Sequence, residues 1–185
     1  MERAFLYSPD KPFKLSSGKE SPYYLDCRKI TLYGPSFRLI GELFWEAIRS
    51  LPITGVAGMS IGADPIVCSL LSVSEREGIY LEGLLIRKEP KKYGTQRQIE
   101  GNFKPGFSIA LVEDVITTGG SLLKAIDACE REGLKILGVY ALIDREEGGG
   151  DRIKEKGYPF FAFFTLAEII SAFHQIKFSQ RKEKS

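Results

Sequence analysis

The sequence predicts an α/β fold in which a central parallel sheet is flanked by helices. Short apolar runs alternate with amphipathic helical patterns over most of the chain, as in repeated strand–helix–strand units. Two of these runs, SIALV (108–112) and GVYALI (138–143), are nearly all apolar, as expected of strands buried on both faces. The 185 residues and 43% hydrophobic content suffice for a single domain with its own core.

The first regular element is a helix over 35–50, where apolar residues recur at spacings of three and four and Pro35 suits a first helical turn. The following strands and helices are predicted in GVAGM (55–59), DPIVCSLLSVSERE (64–77), YLEGLLI (80–86), FSIALVE (107–113), GSLLKAIDACERE (120–132) and ILGVYALI (136–143). Gly133 is placed to end the helix before the last of these strands. The chain then continues with a turn and short helix (146–157), an aromatic strand (159–166), a helix (167–174) and a solvated tail (179–185).

Two segments do not fit the alternation. Residues 13–32 are rich in polar residues and tyrosines and indicate a hood or edge hairpin, so we expect a small hood mainly within 1–34. Residues 87–106 form a charged loop with several glycines between two strands. A loop that long inside a compact domain is usually functional or disordered.

Composition excludes several classes of function. The formal net charge of +2, from 26 basic and 24 acidic residues, gives no overall field that would favour nucleic acid or an anionic membrane surface. Cys27, Cys68 and Cys129 lack metal-ligand spacing and are predicted to be reduced core residues. No segment approaches the roughly 18 apolar residues of a membrane span, and the first residues lack a signal-peptide pattern. We therefore expect a cytoplasmic protein without nucleic-acid or membrane partners.

The clearest candidate site is ALVEDVITTGGSLL (110–123), in which two acids precede a loop of small residues. The pattern places Glu113 and Asp114 at the carboxyl end of a strand and residues 117–121 at the start of the next helix. Backbone N–H groups of such a loop and of the first helical turn bind phosphate, and the loop's hydroxyl groups add further donors. Its two glycines let a phosphate approach the backbone closely.

Carboxylates beside a phosphate site would repel the phosphate, so they must serve ribose hydroxyls or a magnesium shell. A phosphorylated ribose satisfies both halves of the motif. A Walker A loop is excluded because no Gly-Lys-Ser/Thr ending is present. A Rossmann fingerprint is excluded because the acids precede the glycines. An ordinary strand-to-helix turn with a solvated acidic pair is the alternative.

The segment ALVEDVITTGGSL (110–122) resembles the phosphoribosyl-diphosphate (PRPP) motif of type I phosphoribosyltransferases. Within these enzymes, LLIRKEPKKYGTQRQIEG (84–101) is similar to the mobile catalytic loop of orotate phosphoribosyltransferases, whose pattern is Arg-Lys-Glu-x-Lys-x-His-Gly. The segments FKLSSGKESPYYLDCRK (13–29), GMSIGADPI (58–66) and IDREEGG (143–149) are similar to that family's N-terminal, diphosphate-side and Asp-Arg segments. The resemblance implies the type I phosphoribosyltransferase fold.

The same resemblance implies that the 5-phosphoribosyl group of PRPP is transferred to orotate, giving orotidine 5′-monophosphate and diphosphate in de novo pyrimidine (UMP) biosynthesis. It further implies Mg²⁺ as a cofactor bound mainly through PRPP, and a homodimer with shared active sites. Two alternatives stay open: an enzyme of this fold that acts on another base, and a PRPP-sensing regulator without catalysis.

The resemblance also implies roles for individual residues. The expected catalytic residues are Lys91, Glu113 and Asp114. PRPP and its diphosphate are expected to contact Arg87, Lys88, Lys91, Tyr93, Glu113, Asp114, Val115, Ile116, Thr117, Thr118, Gly119, Gly120 and Ser121. Orotate is expected to contact Thr117, Arg145 and Tyr24. Two alternative interpretations remain. The charge of 87–91 alone would also suit a solvated basic loop, and an arginine at the end of a strand would also suit a surface ion pair.

Two positions depart from the family's pattern. Tyr93 stands where the loop usually has histidine, and tyrosine donates one hydrogen bond but cannot carry a positive charge at neutral pH. Ser16 stands where some relatives have lysine, so one cation is absent there. His174, the only histidine, lies outside these motifs and is interpreted as structural; Trp45 is interpreted as packing in the core or at a dimer surface.

Overall fold

The structure is a computed structural model, and it describes residues 3–14, 20–90 and 97–182. Ser16, Lys91 and Tyr93 lie outside these residues, so the roles expected of them stay predictions.

Ten strands and six helices form within the described residues. The strands are β1 (Phe5–Tyr7), β2 (Phe13–Lys14), β3 (Glu20–Ser21), β4 (Tyr23–Leu25), β5 (Gly55–Met59), β6 (Glu82–Ile86), β7 (Ile99–Glu100), β8 (Ser108–Ile116), β9 (Lys135–Asp144) and β10 (Phe160–Thr165). The helices are α1 (Arg28–Thr31), α2 (Gly34–Ile48), α3 (Asp64–Arg76), α4 (Gly120–Arg131), α5 (Gly149–Glu155) and α6 (Leu166–Lys182).

The central sheet has six strands in the order β10-β9-β8-β5-β6-β7, all parallel except β7, which runs antiparallel to β6. From β5 the chain passes through α3 to β6 on one side, and later returns to place β8 on the other side. The strand order therefore reverses between β5 and β8. Crevices at such a switch point, beyond the carboxyl ends of the strands, are where open α/β sheets bind ligands.

Both faces of the sheet are covered, which confirms the predicted parallel sheet with flanking helices. Along β8, Ile109 and Leu111 pack into one core cluster, whereas Ala110 and Val112 pack into the other. The first cluster also includes residues of α4 and α5, and the second residues of α2 and α3. Strand side chains alternate between the two faces, so a strand covered on both sides needs apolar residues at every position.

The N-terminal residues form antiparallel strand pairs beside the sheet, as expected of the hood or edge hairpin predicted from the sequence. Strand β1 pairs with β4, and β2 with β3. Helix α6 packs against this region: the ring of Phe5 lies 5.0 Å from that of Phe173, centroid to centroid. The hydroxyl of Tyr23 and Nε2 of His174 are hydrogen-bonded at 3.1 Å. His174 therefore joins the N-terminal strands to α6.

Two details differ from the sequence prediction. Cys68 is exposed, whereas Cys27 and Cys129 are buried as predicted. Cys68 lies on the side of α3 away from the buried Val67 and Leu70. Helix α6 continues to Lys182, past the predicted end at 174 and into the predicted tail. Within the described residues, no helix has the length and apolar character needed to cross a membrane.

Candidate active site

Most of the predicted site residues in the described part of the chain gather at the switch point between β5 and β8. These strands pair as far as Gly58 and Val112, but β8 continues beside β9 to Ile116. The acid pair therefore lies inside β8, just past the point where β5 separates from it. A cavity of about 680 Å³ occupies this place, lined by Lys14, Tyr24, Leu25, Asp26, Cys27, Arg28, Met59, Ser60, Ile61, Gly62, Lys88, Glu113, Asp114, Val115, Thr117, Ser121, Arg145 and Glu147.

The acid pair is held by the backbone of its own strand. Oε1 of Glu113 accepts a hydrogen bond from the N–H of Asp114 at 3.2 Å, and Oδ1 of Asp114 accepts one from the N–H of Val115 at 2.8 Å. Glu113 is only 6% exposed. Burial raises the pKa of Glu113 well above its ordinary value, and the neighbouring charge of Asp114 raises this pKa further.

The loop of small residues connects β8 to α4 and forms a second cavity of about 470 Å³, lined by Glu113, Val115, Ile116, Thr117, Thr118, Gly119, Gly120, Ser121, Leu122 and Lys124. Gly119 has a φ of +77°, a conformation that glycine adopts without steric cost, and it is the N-cap of α4. The N–H groups in the first turn of an α-helix lack partners within the helix. This cavity is therefore suited to an anion.

The turn after β5 forms another wall of the larger cavity. A Cβ atom on Gly62 would lie 2.6 Å from Oδ1 of Asp114, so the turn approaches the acid pair more closely than another residue would allow. Oγ of Ser60 donates a hydrogen bond to Oδ1 of Asp64 at 2.8 Å, and the peptide between Ser60 and Ile61 is cis. This turn is the segment that resembles the family's diphosphate-side loop.

The three residues predicted to contact orotate, Tyr24, Thr117 and Arg145, all line the larger cavity. Nε of Arg145 donates a hydrogen bond to Oε1 of Glu147 at 3.0 Å, and the arginine side chain is 10% exposed. Arg145 therefore lies where a residue that contacts the ligand is expected. It also forms an ion pair, as expected if the arginine were only an ion-pair partner. The ring of Tyr24 packs against that of Phe13, with centroids 5.4 Å apart.

Only part of the charged loop lies at the site in the described residues. Lys88 lines the larger cavity. Arg87 lines neither cavity; its Nε donates a hydrogen bond to Oε1 of Glu100 at 2.9 Å, and its backbone N–H bonds to the carbonyl of Gln98. Lys91 and Tyr93 lie outside the described residues.

Five charged residues line the cavities without having been predicted there: Lys14, Asp26, Arg28 and Glu147 in the larger one, and Lys124 in the smaller. Nε of Arg28 donates a hydrogen bond to Oδ1 of Asp26 at 3.1 Å. The N-terminal segment was matched to the family's pattern, but that pattern did not single out these side chains. The Asp-x-Arg spacing after the tyrosines was the available signal.

Comparisons with known proteins agree with this geometry. The phosphoribosyl transferase domain family matches residues 84–165. The orotate phosphoribosyltransferase of Aquifex aeolicus is 41% identical, over 91% of this chain and 92% of the relative. That of Rhodopirellula baltica is 40% identical over 84% of each chain.

Solved structures show the same similarity. The Mycobacterium tuberculosis H37Rv orotate phosphoribosyltransferase, in complex with Fe(III) dicitrate, superposes with a TM-score of 0.78 at 32% identity, over 90% of this chain and 91% of that one. The same enzyme in complex with PRPP superposes with a TM-score of 0.69 at 30% identity, over 77% of this chain and 81% of that one. With such identity extending over most of its length, the chain belongs to the orotate phosphoribosyltransferase family.

Proposed function

We propose that this chain transfers the 5-phosphoribosyl group from PRPP to orotate, giving orotidine 5′-monophosphate and diphosphate in de novo pyrimidine synthesis. One observation carries the proposal: Glu113, Asp114, Lys88 and Arg145 line a single cavity that shares Thr117 and Ser121 with the anion-suited loop at α4. This arrangement offers separate positions for a phosphate, a ribose, a diphosphate and an anionic base.

The 5′-phosphate of PRPP occupies the smaller cavity in this proposal. Backbone N–H groups of the loop and of the first turn of α4 donate to it, as do the hydroxyls of Thr117, Thr118 and Ser121. The positive end of the α4 dipole stabilises the phosphate charge.

The two carboxylates contact the ribose. Hydroxyl groups of the sugar donate hydrogen bonds to Glu113 and Asp114, whose own orientation is fixed by backbone N–H groups. Phosphate bound at the loop fixes one end of the ribose while the acid pair fixes its hydroxyl edge. C1 is thereby presented to the rest of the cavity in one orientation, which lowers the entropy cost of the reaction.

Orotate occupies the side of the cavity that contains Tyr24, Thr117 and Arg145. Its carboxylate accepts hydrogen bonds from a guanidinium, and Arg145 is held ready for this by its bond to Glu147. The exposed Arg28, which lines the same cavity, is a second cation for this anion.

The chemical step forms a bond between orotate N1 and ribose C1 and breaks the bond between C1 and the diphosphate oxygen, and the proton of N1 passes to the departing diphosphate. The transition state has oxocarbenium character, so positive charge develops on the ribose and negative charge on the departing diphosphate. Lys88, together with Lys91 of the adjoining loop, stabilises the diphosphate, and this stabilisation is greatest once water is excluded. Tyr93 supplies a hydrogen bond where relatives have histidine.

Magnesium is the proposed cofactor, with Glu113 and Asp114 as the oxygen ligands that the protein offers. Hard carboxylate oxygens suit Mg²⁺, which usually takes its other ligands from water and substrate phosphates. Among the described residues no cluster of three or more His, Cys, Asp or Glu side chains suits a metal. The ion neutralises part of the diphosphate charge when it is bound.

We further propose that the chain works in the cytoplasm as a homodimer in which part of the charged loop reaches the neighbouring subunit's site. The shared-site arrangement is supported by the family's pattern in 84–101. A mixed dimer tests the arrangement: Lys91→Ala and Asp114→Asn subunits are each inactive in the proposal, and mixing them restores one working site per heterodimer. Absence of any recovery after verified subunit exchange contradicts shared sites.

The experiment that tests the function uses PRPP, Mg²⁺ and a mixture of orotate, uracil, adenine, guanine and hypoxanthine, with each base followed by chromatography. Selective, Mg²⁺-dependent loss of orotate is the expected result. Loss of a different base contradicts orotate as the substrate but still supports phosphoribosyl transfer as the reaction. No loss of any base, with PRPP bound, favours a sensing regulator instead.

A further inference from the structure

We infer that Arg152 is a positioning residue for the PRPP loop, an inference that rests on the proposed function of that loop. Nη1 of Arg152 donates a hydrogen bond to the backbone carbonyl of Thr118 at 2.6 Å. Arg152 belongs to α5 and lines neither cavity, so it acts on the ligand only through the loop.

The contact controls the orientation of one peptide unit in the loop. A trans peptide is planar, so the direction of the Thr118 carbonyl fixes the opposite direction of the Gly119 N–H. Thr118, Gly119 and Gly120 all line the smaller cavity. Glycine tolerates many backbone conformations, so a hydrogen bond to this carbonyl restricts the rotation of the peptide next to Gly119. A rotated peptide would present an oxygen where the phosphate needs a donor.

Helix α5 is well placed to hold the loop, because it is anchored independently at several points. Ile153 is fully buried in the core cluster that contains α4. After the helix, Nζ of Lys156 lies 2.7 Å from Oδ1 of Asp127 and 3.1 Å from Oε2 of Glu130, both in α4. The carbonyl of Thr118 is therefore bonded to an element whose position does not depend on the ligand.

The interaction is also chemically suited to this role. A charged guanidinium bonds to a carbonyl more strongly than a neutral donor does. It also polarises the peptide, which makes the N–H on the other side of the same unit a better donor. Both effects favour an anion at the loop, and neither involves the base or the acid pair.

The test compares Arg152→Ala, Arg152→Gln and Arg152→Lys with Lys154→Ala, a matched loss of one positive charge from the same helix. Lys154 is exposed and its nearest acid, Asp151, is 3.9 Å away. PRPP binding is measured by calorimetry with Mg²⁺, alongside kcat and the KM for each substrate. Melting temperatures identify variants that do not fold. Arg152→Gln keeps the aliphatic part of the side chain but is uncharged and too short to place a donor where Nη1 lies, so it replaces Arg152→Ala if that variant is unfolded.

We expect Arg152→Ala to weaken PRPP binding and to raise its KM about fivefold, the size of one modest hydrogen bond, with kcat and the KM for orotate nearly unchanged. Arg152→Lys should recover part of the affinity, and Lys154→Ala should bind like wild type. Wild-type affinity in folded Arg152→Ala, or equal losses in Lys154→Ala, would overturn the inference. Because binding is measured without turnover, an inactive wild-type protein contradicts only the proposed function.

Discussion

Gly149 packs against the backbone of Thr117 so closely that a Cβ atom on the glycine would lie 2.3 Å from the threonine carbonyl oxygen. The same atom would lie 2.8 Å from the nitrogen of Gly119. The start of α5 therefore rests directly on the loop that is proposed to bind the 5′-phosphate. A side chain at this position has no space unless the loop moves.

This packing predicts the effect of Gly149→Ala. The added methyl group displaces the loop, so we expect PRPP affinity to fall about tenfold or more, with a stability loss of about 1–3 kcal/mol from overpacking. Calorimetric titration and thermal unfolding measure the two effects. Gly34→Ala is the control, since nothing lies within 4 Å of its added Cβ. Unchanged PRPP affinity in a folded Gly149→Ala protein would show that the loop is not held by this contact.

The buried Glu113 predicts a specific dependence of stability on pH. Its pKa is raised in the folded state above the ordinary 4.5, so the folded protein binds a proton more tightly there than the unfolded chain. Its contribution to stability is fully present below about pH 4.5 and is lost as pH rises through the raised pKa. Glu113→Gln cannot titrate, so its stability relative to wild type should increase over this range.

Urea unfolding of wild type and Glu113→Gln, at a series of pH values without ligand, measures that difference. Titrating groups distant from Glu113 contribute equally to both proteins and cancel in the comparison, whereas the adjacent Asp114 is coupled to Glu113 and does not. A difference that is constant with pH, or one that favours wild type increasingly as pH rises, contradicts the raised pKa.

The proposed role of the loop lysine predicts a separation between activity and stability. Lys91→Ala removes a cation expected to stabilise the departing diphosphate, so kcat should fall by about a hundredfold or more. The residue is predicted to lie on an exposed loop, so the free energy of unfolding should change by less than about 0.5 kcal/mol. Steady-state kinetics and urea unfolding provide the two numbers. Equal losses of stability and activity would exclude the assignment.

The contact between Tyr158 and α4 predicts a modest effect on the stability of the folded protein. Its hydroxyl donates a hydrogen bond to Oε1 of Glu130 at 2.6 Å, and burial, followed by this carboxylate, raises the pKa of Tyr158 to about 12. Tyr158→Phe should therefore lower stability by about 1 kcal/mol. Thermal unfolding measures this change, with Tyr80→Phe, at an 80% exposed residue, as the control. Equal melting temperatures for wild type and Tyr158→Phe would mean that this bond contributes nothing.

The central sheet was predictable because β8 is apolar at every position from Ile109 to Val112, as a strand covered on both faces requires, and because such short runs alternate with helical patterns along the chain. The loop of small residues was predictable for a similar reason: the left-handed backbone of Gly119 strongly favours glycine. In both cases, local chemistry determines the structure.

Features that depend on packing between distant segments were not predictable. The bond from Arg152 to Thr118 spans 34 residues and exists because α5 rests on the loop. Arg87 matches the family's pattern, yet in this structure it is paired with Glu100 outside the cavity. The exposure of Cys68 follows from which face of α3 packs on the sheet, and a small apolar residue does not reveal that face by itself.

In the proposed function, the acid pair and the adjoining loop form the place where the phosphoribosyl group is transferred. The most direct measurement is the rate of orotidine 5′-monophosphate formation by the Glu113→Gln/Asp114→Asn double variant relative to wild type, at saturating Mg²⁺, with folding verified by thermal unfolding. Both replacements keep the side-chain shape and the oxygens that accept the backbone hydrogen bonds. We expect kcat/KM for PRPP to fall at least about a hundredfold. A folded double variant whose kcat/KM lies within about twofold of wild type would show that the acid pair does not take part in the transfer.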